Sequence, residues 1–131
     1  MKRVTGIGGI FFKSKDPKKL IEWYVKHLAV PLVHEDSEES YVIFNWQTQA
    51  DSDRRGYTLW GPLIENTDYM QPSKKDFMFN FTVENLDELL KALKEEGVYV
   101  FEAVEEHQEG KFGWIMDPEG NKIELWEPPK K

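Results

Sequence analysis

The chain contains no cysteine, which excludes disulfides, thiolate metal sites and cysteine nucleophiles. Histidine is scarce: His27, His34 and His107 are the only three, and they form no i,i+4 or carboxylate-flanked pattern. Each is expected to be solvated or structural, His27 near a helix C-terminus, His34 in a short strand and His107 in an acidic loop. Positive charge is in deficit, with 17 Lys and Arg against 24 Asp and Glu and a net charge of −7. A phosphate backbone selects basic surfaces, so nucleic acid is not the expected partner. No apolar run reaches the roughly 20 residues of a membrane helix. Lys2-Arg3 precedes a Gly-rich apolar stretch with no small-residue cleavage site, so a cytoplasmic protein is expected. Ser14, Ser37, Ser40, Ser52 and Ser73 lack a nucleophile elbow, and Gly6-Ile-Gly-Gly9 lies in strand context rather than in a phosphate loop.

What is present is aromatic. Aromatic residues make up 14% of the 131 residues, five of them Trp, against 40% hydrophobic and 31% charged residues overall. That length suits a single domain over residues 1–131. Ile7 to Lys13 reads as a strand, and Asp16-Pro17 as the N-cap and first turn of a helix burying Leu20, Ile21, Tyr24 and Leu28. Leu32 to Glu35, Tyr41 to Trp46 and Tyr57 to Trp60 follow as strands, with an acidic turn at 36–39 and a polar loop at 47–56 between them. A connector over 63–76, beginning after Pro62, leads to a second round. Phe77 to Val83 is a strand, Asn85 with Glu88 forms a capping box, and Leu86, Leu89, Leu90 and Leu93 make the buried stripe of a helix that Gly97 ends. Val98 to Glu102 is the next strand.

The last stretch, Gly110 to Pro128, is a hairpin around Asp117-Pro118-x-Gly120-Asn121. If Met116 pairs with Lys122, Trp114 lies opposite Glu124, and one carboxylate points into an aromatic surface. The two rounds also match: Leu20, Ile21 and Tyr24 align with Leu89, Leu90 and Leu93, and Tyr57-Thr-Leu-Trp-Gly-Pro62 aligns without a gap with Ile123-Glu-Leu-Trp-Glu-Pro128. The expected fold is α+β: two tandem βαβββ modules, about 5–62 and 77–128, each needing its twin to cover its sheet.

Two such modules ending in Asp117-Pro118-x-Gly120-Asn121-x-x-Glu124, with Asp16, Trp23-Tyr24 and Val83-Glu-Asn-Leu-Asp87 at the helix starts, resemble the vicinal oxygen chelate superfamily of glyoxalases, bleomycin resistance proteins and ring-cleaving dioxygenases. The resemblance implies curved mixed sheets forming a cup around a concave cleft with the helices outside, a homodimer and, in the metal-dependent members, a divalent ion held by four inward His or Glu side chains. Carried onto this chain, those positions fall on Gly9, Thr58, Met78 and Glu124. Only Glu124 ligates hard or borderline divalent ions, since Gly9 has no side chain and Met78 offers a thioether. No metal or other cofactor is therefore expected, although the resemblance keeps a divalent metal in view.

Alternation along the strands places Phe11, Thr58, Trp60, Met78, Asn80, Trp114, Glu124 and Trp126 on the concave face as ligand-binding candidates. Trp60 and Trp126 have an equal claim to packing or dimer-interface roles; for Glu124 a pocket role is favoured, with a salt bridge to Lys122 or Lys13 as the lesser alternative. Three functions fit. One is a metal-free protein that binds a small, flat organic molecule, with Glu124 attracting a cationic group. The second is a lyase, isomerase or dioxygenase of the glyoxalase type, with Glu124 as metal ligand or catalytic base. The third is a structural module whose cup is filled by its own side chains.

Overall fold

The computed structural model describes residues 2–33, 41–45 and 57–129. His34, the turn at 36–39, Ser37, Ser40, Trp46, the loop at 47–56 and Ser52 within it lie outside the described residues. The element order is β1 (Val4–Ser14), α1 (Pro17–Leu28), β2 (Leu32–Val33), β3 (Tyr41–Asn45), β4 (Tyr57–Ile64), β5 (Phe77–Val83), α2 (Leu86–Glu95), β6 (Tyr99–His107), β7 (Gly110–Met116) and β8 (Lys122–Glu127). These are two βαβββ units. They share one eight-stranded mixed sheet in the order β2-β3-β4-β1-β5-β8-β7-β6. Within each unit the first and last strands are parallel, β1 with β4 and β5 with β8. The units meet where β1 runs antiparallel to β5, with Phe11 opposite Met78 and Gly9 opposite Asn80.

Both helices cover one face of the sheet, α1 over β4 and β1, α2 over β6, β7 and β8. Each begins where a short polar side chain satisfies an open backbone donor. Asp16 Oδ1 accepts from Lys19 N–H at 3.1 Å, and Asn85 Oδ1 accepts from Glu88 N–H at 3.1 Å. Gly97, at φ +84°, ends the second helix, with Val98 N–H donating back to Leu93 O at 3.0 Å. Under α2, Val83, Leu86, Leu89, Leu90 and Leu125 form the main core. The α1 stripe is shorter than its periodicity predicts. Ile21 is buried, but Leu28, in the last turn, is 59% exposed.

On the opposite face Met70, Met78 and Trp114 form a second cluster, joined by Phe11, Leu63, Phe101 and Phe112. Met70 belongs to the connector. β4 runs to Ile64, past the expected boundary, and the chain then crosses the concave face before β5. Thr67 N–H to Ile64 O and Ser73 N–H to Met70 O hold that crossing in tight turns. The hairpin turn is closed by Asp117: its Oδ1 accepts from the N–H groups of Glu119 and Asn121, each at 2.9 Å. The Asn121 side chain, with those backbone donors, holds the half-buried Asp117 carboxyl below its ordinary range. Gly120 takes φ +82°, whereas Asn121 does not need positive φ. β6 is longer than expected and carries His107 as a strand residue paired with Gly110, not as a loop residue. No helix among the described residues is long and apolar enough to cross a membrane.

Candidate functional site

The site grows from the β8 register. Glu124 lies between Asn80 of β5 and Trp114 of β7, so three inward side chains sit in one row across the sheet. Glu124 is only 3% exposed. An isolated carboxylate there would be costly, so its oxygens need donors. Asn80 Nδ2 donates to Oε1 at 3.1 Å, and the connector's Tyr69 hydroxyl donates to Oε2 at 2.7 Å. Burial pushes the Glu124 carboxyl above its ordinary range, while Tyr69, Trp114, Asn80 and the nearby Lys122 charge hold it down. The Trp114 indole N–H faces this carboxylate without reaching good hydrogen-bond geometry, and it is an unpartnered buried donor. Asn80 Oδ1 is an unpartnered buried acceptor.

Tyr69 is raised far above the ordinary phenol range, by burial first and by the Glu124 charge second. Its hydroxyl therefore stays a donor throughout the working pH range. Lys122 secures the same strap from the other side. Its Nζ donates to Tyr69 O at 2.8 Å and sits over the Phe101, Tyr69 and Trp114 rings at 5.1, 5.4 and 5.8 Å. Burial lowers the Lys122 ammonium, opposed by the charges of Glu124 and Asp68.

Glu124 borders two neighbouring spaces. A cavity of about 170 Å³ is lined by Gly8, Tyr57, Leu59, Asn80, Glu109 and Trp126, and a wider one of about 650 Å³ by Leu63, Tyr69, Glu105, His107 and Trp114. Phe11, Phe112 and Glu124 line both. One wall is a row of rings. Tyr57 meets Trp126 at 5.0 Å, Trp126 stacks on Phe112 at 6.0 Å and 6°, and Phe112 stacks on His107 at 4.8 Å and 20°. Trp126 Nε1 donates to Glu109 O at 2.7 Å, which sets the tilt of its ring. His107 Nδ1 lies 2.7 Å from Glu109 Oε2 at the rim.

The structure thus gathers Phe11, Met78, Asn80, Trp114, Glu124 and Trp126 on the concave side, with Met78 buried under the strap. Thr58 and Trp60 are not among them. Thr58 Oγ1 donates to Ile7 O at 2.8 Å, and Trp60 packs against Tyr24 of α1 at 4.4 Å and Phe12 at 5.2 Å, on the helix side. The cause is register. Phe11 and Asn80 each lie five residues before their helix cap, and they pair with Gly61 and Glu124 respectively. Gly61, not Thr58, is therefore the counterpart of Glu124. The gapless sequence match is displaced by three residues, and an odd displacement turns every side chain to the other face. Gly8, at a register shift in β1, lines the cavity in place of Gly9.

Tyr69, Tyr57, Gly8, Glu105, His107 and Glu109 escape the sequence reading. For Glu105 and His107 a signal existed, since extending the expected strand from Glu102 to His107 would have placed both on one face. Tyr69 had none, because the connector has no periodicity. Among the described residues no three His, Cys, Asp or Glu side chains converge as a metal site.

Residues 9–126 match the family model of the glyoxalase-like domain. None of the curated proteins matches the sequence. Among solved structures, the methylmalonyl-CoA epimerase of Mycobacterium tuberculosis superposes with a TM-score of 0.64 at 21% identity, over 98% of this chain and 91% of that one. The Streptomyces coelicolor methylmalonyl-CoA epimerase, solved with 2-nitronate-propionyl-CoA, gives 0.66 at 16% identity over 95% and 98%. A glyoxalase/bleomycin resistance protein/dioxygenase superfamily member from Vibrio splendidus 12B01 gives 0.56 at 15% identity over 97% and 99%. At these identities the likeness is one of fold.

Proposed function

The chain belongs to the glyoxalase-like domain family, and from that premise we propose that its cup binds a small, flat organic molecule without a divalent metal. The observation that carries this reading is Glu124, a buried carboxylate at the end of an aromatic-walled cavity, with its oxygens met by neutral Asn80 and Tyr69 donors. Ligand pockets combine apolar walls with a few convergent polar groups in this way. The metal positions support the metal-free form. Gly9 and Gly61 bring no ligating side chain, and Met78 brings a soft thioether under the strap. A cytoplasmic homodimer completes the proposal, in keeping with the superfamily the sequence resembles.

Two measurements test it. Elemental analysis of protein purified without added metal should find less than about a tenth of an equivalent of any transition metal, before and after loading. A thermal-shift screen of flat heteroaromatic compounds should find stabilising ligands with no turnover. Near-stoichiometric metal that is lost in Glu124→Ala would overturn the metal-free reading.

A second reading is favoured by one specific feature, the upward shift of the Glu124 carboxyl. A base shifted toward the working pH suits proton abstraction from carbon next to a carbonyl, as in a metal-free isomerase or lyase. Asn80 Nδ2 or the Trp114 N–H would then hold the carbonyl oxygen, a role Thr58 cannot fill from the opposite face. Deuterium exchange at the α-carbon of 2-oxo and thioester compounds, followed by NMR, tests this reading. Exchange that depends on Glu124 would support it, and none across the set would remove it.

A further inference from the structure

We propose that the smaller cavity selects a planar organic cation bearing N–H donors, such as an amidinium, a guanidinium or a protonated aromatic amine, and rejects carboxylates and acyl-CoA esters. The inference rests on the small-molecule reading above and names the chemistry of its ligand.

Charge gives the first argument. Among the described residues, the carboxylate and imidazole side chains lining the two spaces are Glu124 and Glu109 around the smaller, and Glu105, His107 and again Glu124 around the wider. No Lys or Arg is among the described lining residues of either space. The Lys122 ammonium acts on Glu124 from outside both linings, where it donates to Tyr69 O and lies over the Phe101, Tyr69 and Trp114 rings. A net charge of −7 adds long-range attraction for a cation and repulsion for a polyanion.

An orphan acceptor gives the second, independent argument. Asn80 lines the cavity, is 3% exposed and donates from its amide nitrogen to Glu124, while its Oδ1 is buried with no partner. A Cβ at Gly8 would run into that oxygen and would come within 2.7 Å of Trp126 Cε3, so Gly8 is what leaves the acceptor room. Buried acceptors without donors are rare, and each has a reason. A ligand N–H supplies the missing donor. Glu124 also retains capacity, since a carboxylate has about four acceptor sites and only two are taken here by Asn80 and Tyr69.

Shape gives the third. Trp126 and Phe112 lie only 6° from parallel, and Tyr57 extends the row. Aromatic faces carry negative potential, so a flat cation against this wall gains more than a neutral isostere of the same shape. The same lining opposes the phosphates of a CoA ester, the kind of compound bound in the Streptomyces coelicolor structure.

The test compares shape-matched probes by titration calorimetry at low salt: benzamidine, benzamide, benzoate and acetyl-CoA. Benzamidine should bind at least about tenfold more tightly than benzamide, and benzoate and acetyl-CoA should not bind. The preference should shrink severalfold in Glu109→Gln, a rim substitution that leaves the core untouched, and should vanish in Glu124→Gln. Benzamide binding as tightly as benzamidine, or benzoate or acetyl-CoA binding more tightly, would overturn the charge selection while leaving small-molecule binding in place. If none of the four binds at millimolar concentration, the proposal and the binding reading beneath it both fall.

Discussion

The Tyr69 hydroxyl is the contact that ties the strap to the site, and Tyr69→Phe removes it alone. The ring stays, so its edge contacts with Phe11 at 6.2 Å and Trp114 at 6.5 Å, and the Lys122 ammonium above it, are kept. What is lost is one 2.7 Å hydrogen bond to a buried carboxylate. A hydrogen bond to a charged group contributes roughly 1.5–3 kcal/mol, and a neutral one about 1 kcal/mol. The expected loss at pH 8 is therefore about 2 kcal/mol. With an unfolding entropy of about 2.1 cal/mol/K per residue, a chain of 131 residues loses about 3–4 °C of Tm per kcal/mol, so the variant should melt about 7 °C lower. Repeating the comparison in a Glu124→Gln background should halve that loss, because the acceptor is then neutral. Thermal denaturation followed by circular dichroism reads both effects. A loss under about 2 °C at pH 8, or the same loss in both backgrounds, would refute the claim that the hydroxyl acts through the carboxylate's charge.

Further outcomes follow from the same geometry. The Glu124 carboxyl is raised in the fold, so the native state holds its proton more tightly than the unfolded chain does. Its contribution is then fully present below the unfolded value of 4.5 and is lost as pH rises through the folded value. Glu124→Gln should accordingly match the parent below that window and be more stable above it, in urea melts across pH; a parallel offset at all pH values would contradict this. Gly8→Ala places a methyl group against Asn80 Oδ1 and Trp126, and overpacking of that kind should cost about 1–3 kcal/mol by denaturant titration. Trp60→Ala removes the half-buried ring that packs on Tyr24 and Phe12 and should cost about 3 kcal/mol, while leaving ligand affinity within about twofold. A large loss of affinity would return Trp60 to the cup.

Legibility in the sequence followed local constraint. The last hairpin could be read to the residue: Asp117 and Gly120 demand one turn, and that turn pairs Met116 with Lys122 and brings Trp114 opposite Glu124. The helix starts were equally plain, because Asp16 and Asn85 each satisfy a backbone donor of the turn they begin. β4 was misread for a reason the fold makes clear. Its match to β8 rested on recurring Trp and Pro, yet neither residue decides which way a strand faces. The pairing with β1 decides it, and that is a long-range fact. Counted from the helix caps, Leu59 and Gly61 fall on the concave side and Trp60 on the helix side, where Tyr24 receives it.

The connector was illegible for the opposite reason, since it obeys no period at all. Met70 is 1% exposed, and Tyr69 meets Glu124 from 55 residues away, but both are held by tertiary contacts that no local pattern announces. This bears on how the site works. Of the groups that hold Glu124, Asn80 comes from the rigid sheet and Tyr69 from a strap that Lys122 and Met70 pin down. A ligand that competes for Oε2 must displace the hydroxyl, whereas one that uses the free Asn80 Oδ1 need not. The smaller cavity therefore offers a binding mode in which the strap stays closed, and the wider one requires the strap to move only if the ligand reaches the Tyr69 side of the carboxylate. Comparing ligand affinity in Tyr69→Phe and in the parent separates the two. An unchanged affinity places the ligand on the Asn80 side, and a gain of tenfold or more places it where the hydroxyl had stood, since each 1.4 kcal/mol of removed competition is about tenfold.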